Sequence, residues 1–103
     1  MSKVTVLPID AIVSDPAIRS GRPIIAGTTL RVQDVAVAYL SKGYTLEELL
    51  RQYPRLTLTK IHAALAYYYA HQSEIDAQIE ADIQFFEEAK EQGIGQRHPP
   101  VLR

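Results

Sequence analysis

Residues 45–60 read TLEELLRQYPRLTLTK, and this stretch decides the fold. Thr45 and Glu48 have capping-box spacing: a threonine oxygen takes a backbone amide, and the glutamate three positions on reaches back. A helix is therefore expected from Thr45, with Leu46, Leu49 and Leu50 on its buried face. Pro54 disfavours helical geometry at Tyr53, so the helix ends there. A further helix starts near Thr57, with Leu58, Ile61, Leu65 and Tyr68 on one side.

The chain on the N-terminal side supplies another helix. From about Gln33 to Lys42, Val35 pairs with Tyr39 and Ala36 with Leu40 at i,i+4 spacing, making one apolar stripe. Gly43 is placed to close that helix in the left-handed conformation. Three short helices with tight connections are the layout of a helix-turn-helix within a trihelical bundle. The connection between the second and third, YPRL, lacks the glycine often found there.

Further upstream, Ile24-Ile25 and Leu30-Arg31-Val32 flank Ala26-Gly27-Thr28-Thr29 and read as a small β-hairpin. The hairpin is expected to cover one end of the bundle with its four apolar side chains, leaving Arg22 and Arg31 on the surface. Residues 3–7, KVTVL, alternate weakly and predict a short strand that Pro8 stops.

Downstream, Ile75, Ile79, Ile83 and Phe86 mark an apolar stripe, and Gly93, Gly95 and Pro99-Pro100 end the pattern. The division is residues 1–72, a helix-turn-helix domain with an N-terminal β element, and residues 73–103, an acidic amphipathic helix with a flexible tail. The fold class is mainly α.

The totals limit the function. A chain of 103 residues is one domain's worth, and 47% hydrophobic residues is too many for a disordered chain. There is no cysteine, so no disulfide or thiolate chemistry. No apolar run approaches the ~20 residues of a membrane helix, and a cytoplasmic protein without membrane contact is expected. The net charge of −1 hides an asymmetry. Residues 1–72 hold eight cations against five anions, net +3; residues 73–92 hold one against seven, net −6. Two different partner surfaces follow from that contrast.

Catalytic patterns are missing. His62, His71 and His98 show no i,i+4 metal spacing, the serines have no GxSxG setting, and no GxxxxGK[ST] phosphate loop occurs. The expectation is a non-enzyme without cofactor.

For DNA binding, Arg51, Arg55 and Lys60 surround the turn before the third helix and suit phosphate contact. Lys60 in that helix's first turn opposes the helix dipole, which a bound phosphate would offset. Thr57, Thr59 and Tyr67 complete the candidate set. The remaining outer face is mostly alanine, at Ala63, Ala66 and Ala70, which suits close packing against another helix equally well. The partner-binding candidates are Ile75, Ile79, Ile83 and Phe86, with Arg97 of the tail reaching an acidic site.

Taken together, IVSDPAIRSGRPIIAGTTLRVQDV and KGYTLEELLRQYPRLTLTKIHAALAYY resemble the bacterial family called domain of unknown function 433. The matching positions include Ile12, Asp15-Pro16, Gly21-Arg22-Pro23, Ile24-Ile25, Gly27-Thr28, Val32, Gly43, Thr45, Glu47-Glu48, Tyr53-Pro54 and Leu56-Thr57. The resemblance spans about residues 12–72. It implies a homeodomain-like helical domain with a short β element, and an antitoxin of a type II toxin–antitoxin pair. Such a protein would bind its own promoter, form a homodimer and neutralise a toxin with a PIN-like nuclease fold. The alternative is a helical dimerising interaction module without DNA binding. Two positions depart from the pattern: Thr29 replaces an arginine, and Thr59-Lys60 replace an acidic pair.

Overall fold

The Thr45 hydroxyl accepts the Glu48 N–H at 3.1 Å, and Glu48 Oε1 accepts the Thr45 N–H at 2.8 Å. The reciprocal cap starts helix α2, Leu46–Gln52, which ends at Tyr53 before Pro54. Thr57 supplies the first half of that cap alone, accepting the Lys60 N–H at 3.2 Å at the head of α3, Leu58–Ala70. The computed structural model describes residues 3–5 and 9–91 of the chain. It divides into two compact units, Met1–His71 and Gln72–Arg103.

The first unit begins with two short antiparallel strands, β1 (Ile12–Val13) and β2 (Ile24–Ile25), with Ile12 opposite Ile25 and Val13 opposite Ile24. Helix α1 (Val32–Ala36) follows, continued by a π-helical turn over Val37–Ser41, then α2 and α3. The described chain is thus mainly helical, with a two-stranded sheet near its start.

The expected hairpin is present only as a tight turn. Ile24 and Arg31 form a single antiparallel bridge, and the Ile25 N–H reaches Leu30 O at 2.9 Å. Gly27 sits at φ +81°, the positive φ that a type II turn demands at its third residue. The ladder runs mainly to β1 instead, because Ile12–Val13 lies along the other edge of β2. Residues 3–5 are not in a strand, and Val4 is 90% exposed; residues 6–8 lie outside the described part.

Arg22 and Arg31 are half-buried rather than surface flanks. Arg22 Nη1 donates to Gln33 Oε1 at 2.9 Å, and Gln33 is buried. Arg31 grips Asp34 through Nε and Nη2, at 3.2 and 3.0 Å. Asp34 also accepts the Arg31 N–H at 3.0 Å and so caps α1.

The π turn corrects the first helix. The Lys42 N–H bonds to Val37 O, five residues back. One extra residue in a turn moves the following side chains about 100° round the axis. Ala38 is therefore buried, whereas Leu40 is exposed. Gly43, at φ +76°, ends the segment.

The core lies between α1, α3 and the strands. Ile24, Ile25, Val32, Val35, Leu49 and Ile61 are out of water. The four expected hairpin residues contribute unequally: Ile24, Ile25 and Val32 are buried and Leu30 is half-buried. On α3, Ile61, Ala64, Leu65 and Tyr68 face inward. Leu58 does not, at 51% exposure. It occupies the first helical position, and Leu56 in the preceding turn fills the core there.

The second unit is described over α4, Gln72–Glu91. His71, at φ −128° and ψ 38°, breaks the helical path between α3 and α4.

Candidate functional site

The connection between α2 and α3 is held at several points. Tyr53 O accepts the Leu56 N–H at 2.9 Å, Leu56 is buried, and Thr57 caps the next helix. Arg55 points its Nη1 at Gly27 O, 3.2 Å away. Lys60 Nζ reaches Arg55 O at 3.4 Å. The turn and the first turn of α3 therefore form one hydrogen-bonded cluster holding Arg55, Thr57 and Lys60.

Arg51 lies in the last turn of α2, exposed, in a shallow depression shared with Tyr44, Glu48 and Gln52. Glu48 titrates below the ordinary carboxylate range. The main cause is the Thr45 backbone N–H on its oxygen, followed by the Thr45 side chain, with Arg51 helping. Thr59 is exposed. Thr57 has its oxygen committed to the cap, so its part is to set the helix start.

Tyr67 lies apart. Ten residues of helix place it about 15 Å along α3 from Thr57. It is half-buried and stacks on His71, ring centroids 4.1 Å apart and 19° from parallel. Ala66 and Ala70 are exposed beside it, and Ala63 is half-buried.

Helix α4 carries the partner-binding candidates unequally. Ile75 is 2% exposed, and a side chain already out of water gains nothing from a partner. It is removed from the binding face. Ile79 is half-buried, and Ile83 and Phe86 are exposed. Phe85, not anticipated from the stripe, is the most exposed of them at 74%. The adjacent Phe-Phe pair in a charged helix was its signal in the sequence. Arg97 lies outside the described residues.

The chain from Ile12 through Tyr68 is also where known proteins resemble it. The sequence matches the model of a family described as Protein of unknown function (DUF433) over residues 12–68, more than half of the chain. The chain belongs to the DUF433 family. A crystal structure of a DUF433 member protein from Anabaena variabilis is similar to it, with 34% identity, 69% of each chain covered and a TM-score of 0.63. No curated protein matches the sequence. The DUF433 match thus takes in β1 to α3, including the Arg55–Lys60 cluster, and stops before α4.

Among the described residues no helix is long and apolar enough to cross a membrane. Among the same residues, no three of His, Asp and Glu come together as a metal site.

Proposed function

We propose that this DUF433 chain is an antitoxin-type regulator with two working surfaces. One takes promoter DNA and the other covers a protein partner, a toxin with a PIN-like nuclease fold. It works in the cytoplasm, as a homodimer, and it is not an enzyme.

The observation that carries this reading is on α4. Ile83, Phe85 and Phe86 are exposed on a helix otherwise rich in Asp and Glu. Burying one such side chain is worth roughly 1.5–3 kcal/mol, which a groove on a partner supplies. The surrounding acids favour a groove with a basic rim. They disfavour a second copy of α4, whose like charges would repel.

The DNA surface is the α2–α3 pair read as a homeodomain-like helix-turn-helix. Arg51, Arg55 and Lys60 would contact phosphates, and Thr59 with Tyr67 would face the groove. Thr57 would present the helix end. The second reading, an interaction module without DNA binding, is favoured by the exposed Ala66 and Ala70 on α3. Alanine offers no hydrogen bond to a base edge.

Fluorescence anisotropy with DNA from upstream of the chain's own gene, against a scrambled duplex at two salt concentrations, tests the first surface. Preference for the native duplex with a steep salt dependence is expected. Equal weak binding to both would leave the interaction module. Co-expression with a toxic nuclease of PIN-like fold tests the second surface: growth should be restored by the wild type and not by F85S/F86S. Equal rescue by both would sink the α4 role.

A further inference from the structure

A cleft of about 820 Å³ opens in the first unit, on the β-strand side of the α2–α3 turn. Its size falls within the range of small-molecule sites. Val13, Ile18, Leu30, Tyr53 and Leu56 give it apolar walls. None of the DNA or partner residues accounts for it except Arg55, which stands at its edge.

Two guanidinium groups converge on it. Arg19 Nη1 donates to Thr29 O at 3.3 Å, and Arg55 Nη1 donates to Gly27 O at 3.2 Å. The two acceptors are two residues apart in the chain, so no more than ~7 Å separates them. Both cations are thus tethered to one short loop. Each uses one of five N–H donors there. Among the described residues neither meets a carboxylate within ion-pair distance. The single acid lining the cleft, Asp15, has Oδ1 turned to the Ala17 N–H at 2.9 Å. The lining carries two cations against one anion, a positive balance beside apolar walls.

The backbone that delivers Arg19 is unusual. Arg19, Ser20 and Gly21 follow one another at φ 50°, 58° and 79°. Two consecutive non-glycine residues in the left-handed region are costly and persist only where their surroundings hold them. Gly21 is held by the Ser14 hydroxyl, which donates to its carbonyl at 2.7 Å. The effect of the turn is to bring the Arg19 side chain to the cleft mouth.

From these features we infer that the cleft binds a small amphipathic organic acid: an apolar body seated between Val13, Ile18 and Tyr53, with its carboxylate held by Arg19 and Arg55. Apolar walls recover the hydrophobic contribution, and two guanidinium groups tethered to one loop select the anion. The site stands whether or not the chain binds DNA.

The test is a titration of the full chain, isotopically labelled and without DNA, with octanoate below its micelle concentration. Backbone amide shifts are the readout. Saturable shifts are expected at Ile18 and Arg19, across Gly27–Leu30, and at Arg55 and Leu56. Octylammonium, with the same chain and the opposite charge, should give none there. R19A/R55A should weaken octanoate at least tenfold. V13E places a carboxylate in the cleft at a residue already exposed, and should abolish the shifts. If R19A/R55A fails to fold, octylammonium and V13E still decide. The inference is overturned if octanoate leaves those amides unmoved, if octylammonium moves them equally, or if V13E binds as the wild type does.

Discussion

Arg55 on the α2–α3 turn donates to the Gly27 carbonyl, twenty-eight residues earlier, at 3.2 Å. The bond ties the loop after β2 to the turn that precedes α3. It explains what a stiff glycine-bearing loop contributes here: a fixed carbonyl that sets the direction of a cation. R55A should lower stability by only about 0.5 kcal/mol, since the bond is exposed. Urea denaturation of R55A and R55K, alongside DNA anisotropy, checks this. A large loss of DNA affinity with a small loss of stability is the expected pattern.

Glu48 provides a pH prediction. Its folded pKa lies below the ordinary glutamate value of about 4.3, chiefly through the Thr45 N–H. Stabilisation by the charged form is therefore complete above that value. It is lost as pH falls through the lower folded value. Helicity followed by circular dichroism from about pH 6 down to about pH 2.5 should show an acid-side loss that E48Q reduces. T45A, removing the other half of the cap, should cost about 1 kcal/mol at neutral pH.

Gly43 tests a conformational cost without a packing cost. A Cβ there would meet nothing within 4 Å, yet its φ is +76°. G43A should destabilise by about 1 kcal/mol from backbone strain alone. A thermal midpoint unchanged from wild type would refute that account.

Ile61 and Leu58 stand three residues apart on α3 and should differ sharply. Ile61 has 0% exposure and Leu58 51%. I61A should cost about 2–5 kcal/mol, the range for buried aliphatic truncations. L58A should cost well under 1 kcal/mol. Equal losses in chemical denaturation would mean that the core is misplaced.

Lys60 separates stability from binding. A cation in the first turn of α3 opposes the helix dipole, so K60E should stabilise the fold by about 0.5 kcal/mol. The same change should weaken DNA binding and flatten its salt dependence, because a phosphate contact is lost. A gain in both properties would remove Lys60 from the DNA surface.

Local signals were the legible part of this fold. The Thr45–Glu48 box, the Tyr53-Pro54 stop, the Thr57 start and the Gly43 closure each act over a few residues of chain, and each occurs where the sequence places it. The pairing of β2 was not legible, because Ile25 finds Ile12 across twelve residues of intervening chain. Leu40 was misread because a π turn changes the helical period, and no residue type marks that change.

The candidate site shows the same divide. Arg55, Thr57 and Lys60 are neighbours in sequence, and the turn keeps them together. Tyr67 shares their helix but not their place on it. Arg19 and Arg55 meet at one cleft only because β2 and its following loop carry Gly27 and Thr29 between them.

The sequence by itself determined where helices α2 and α3 start, where α2 stops, and that the chain is mainly helical. Caps, proline and glycine act through bonds a few residues long. Only the tertiary structure decided that β2 pairs with β1, that Ile75 is buried while Phe85 is exposed, and that two distant arginines line one cleft. Those outcomes depend on which surfaces exclude water from one another, and that is settled by packing across the whole chain.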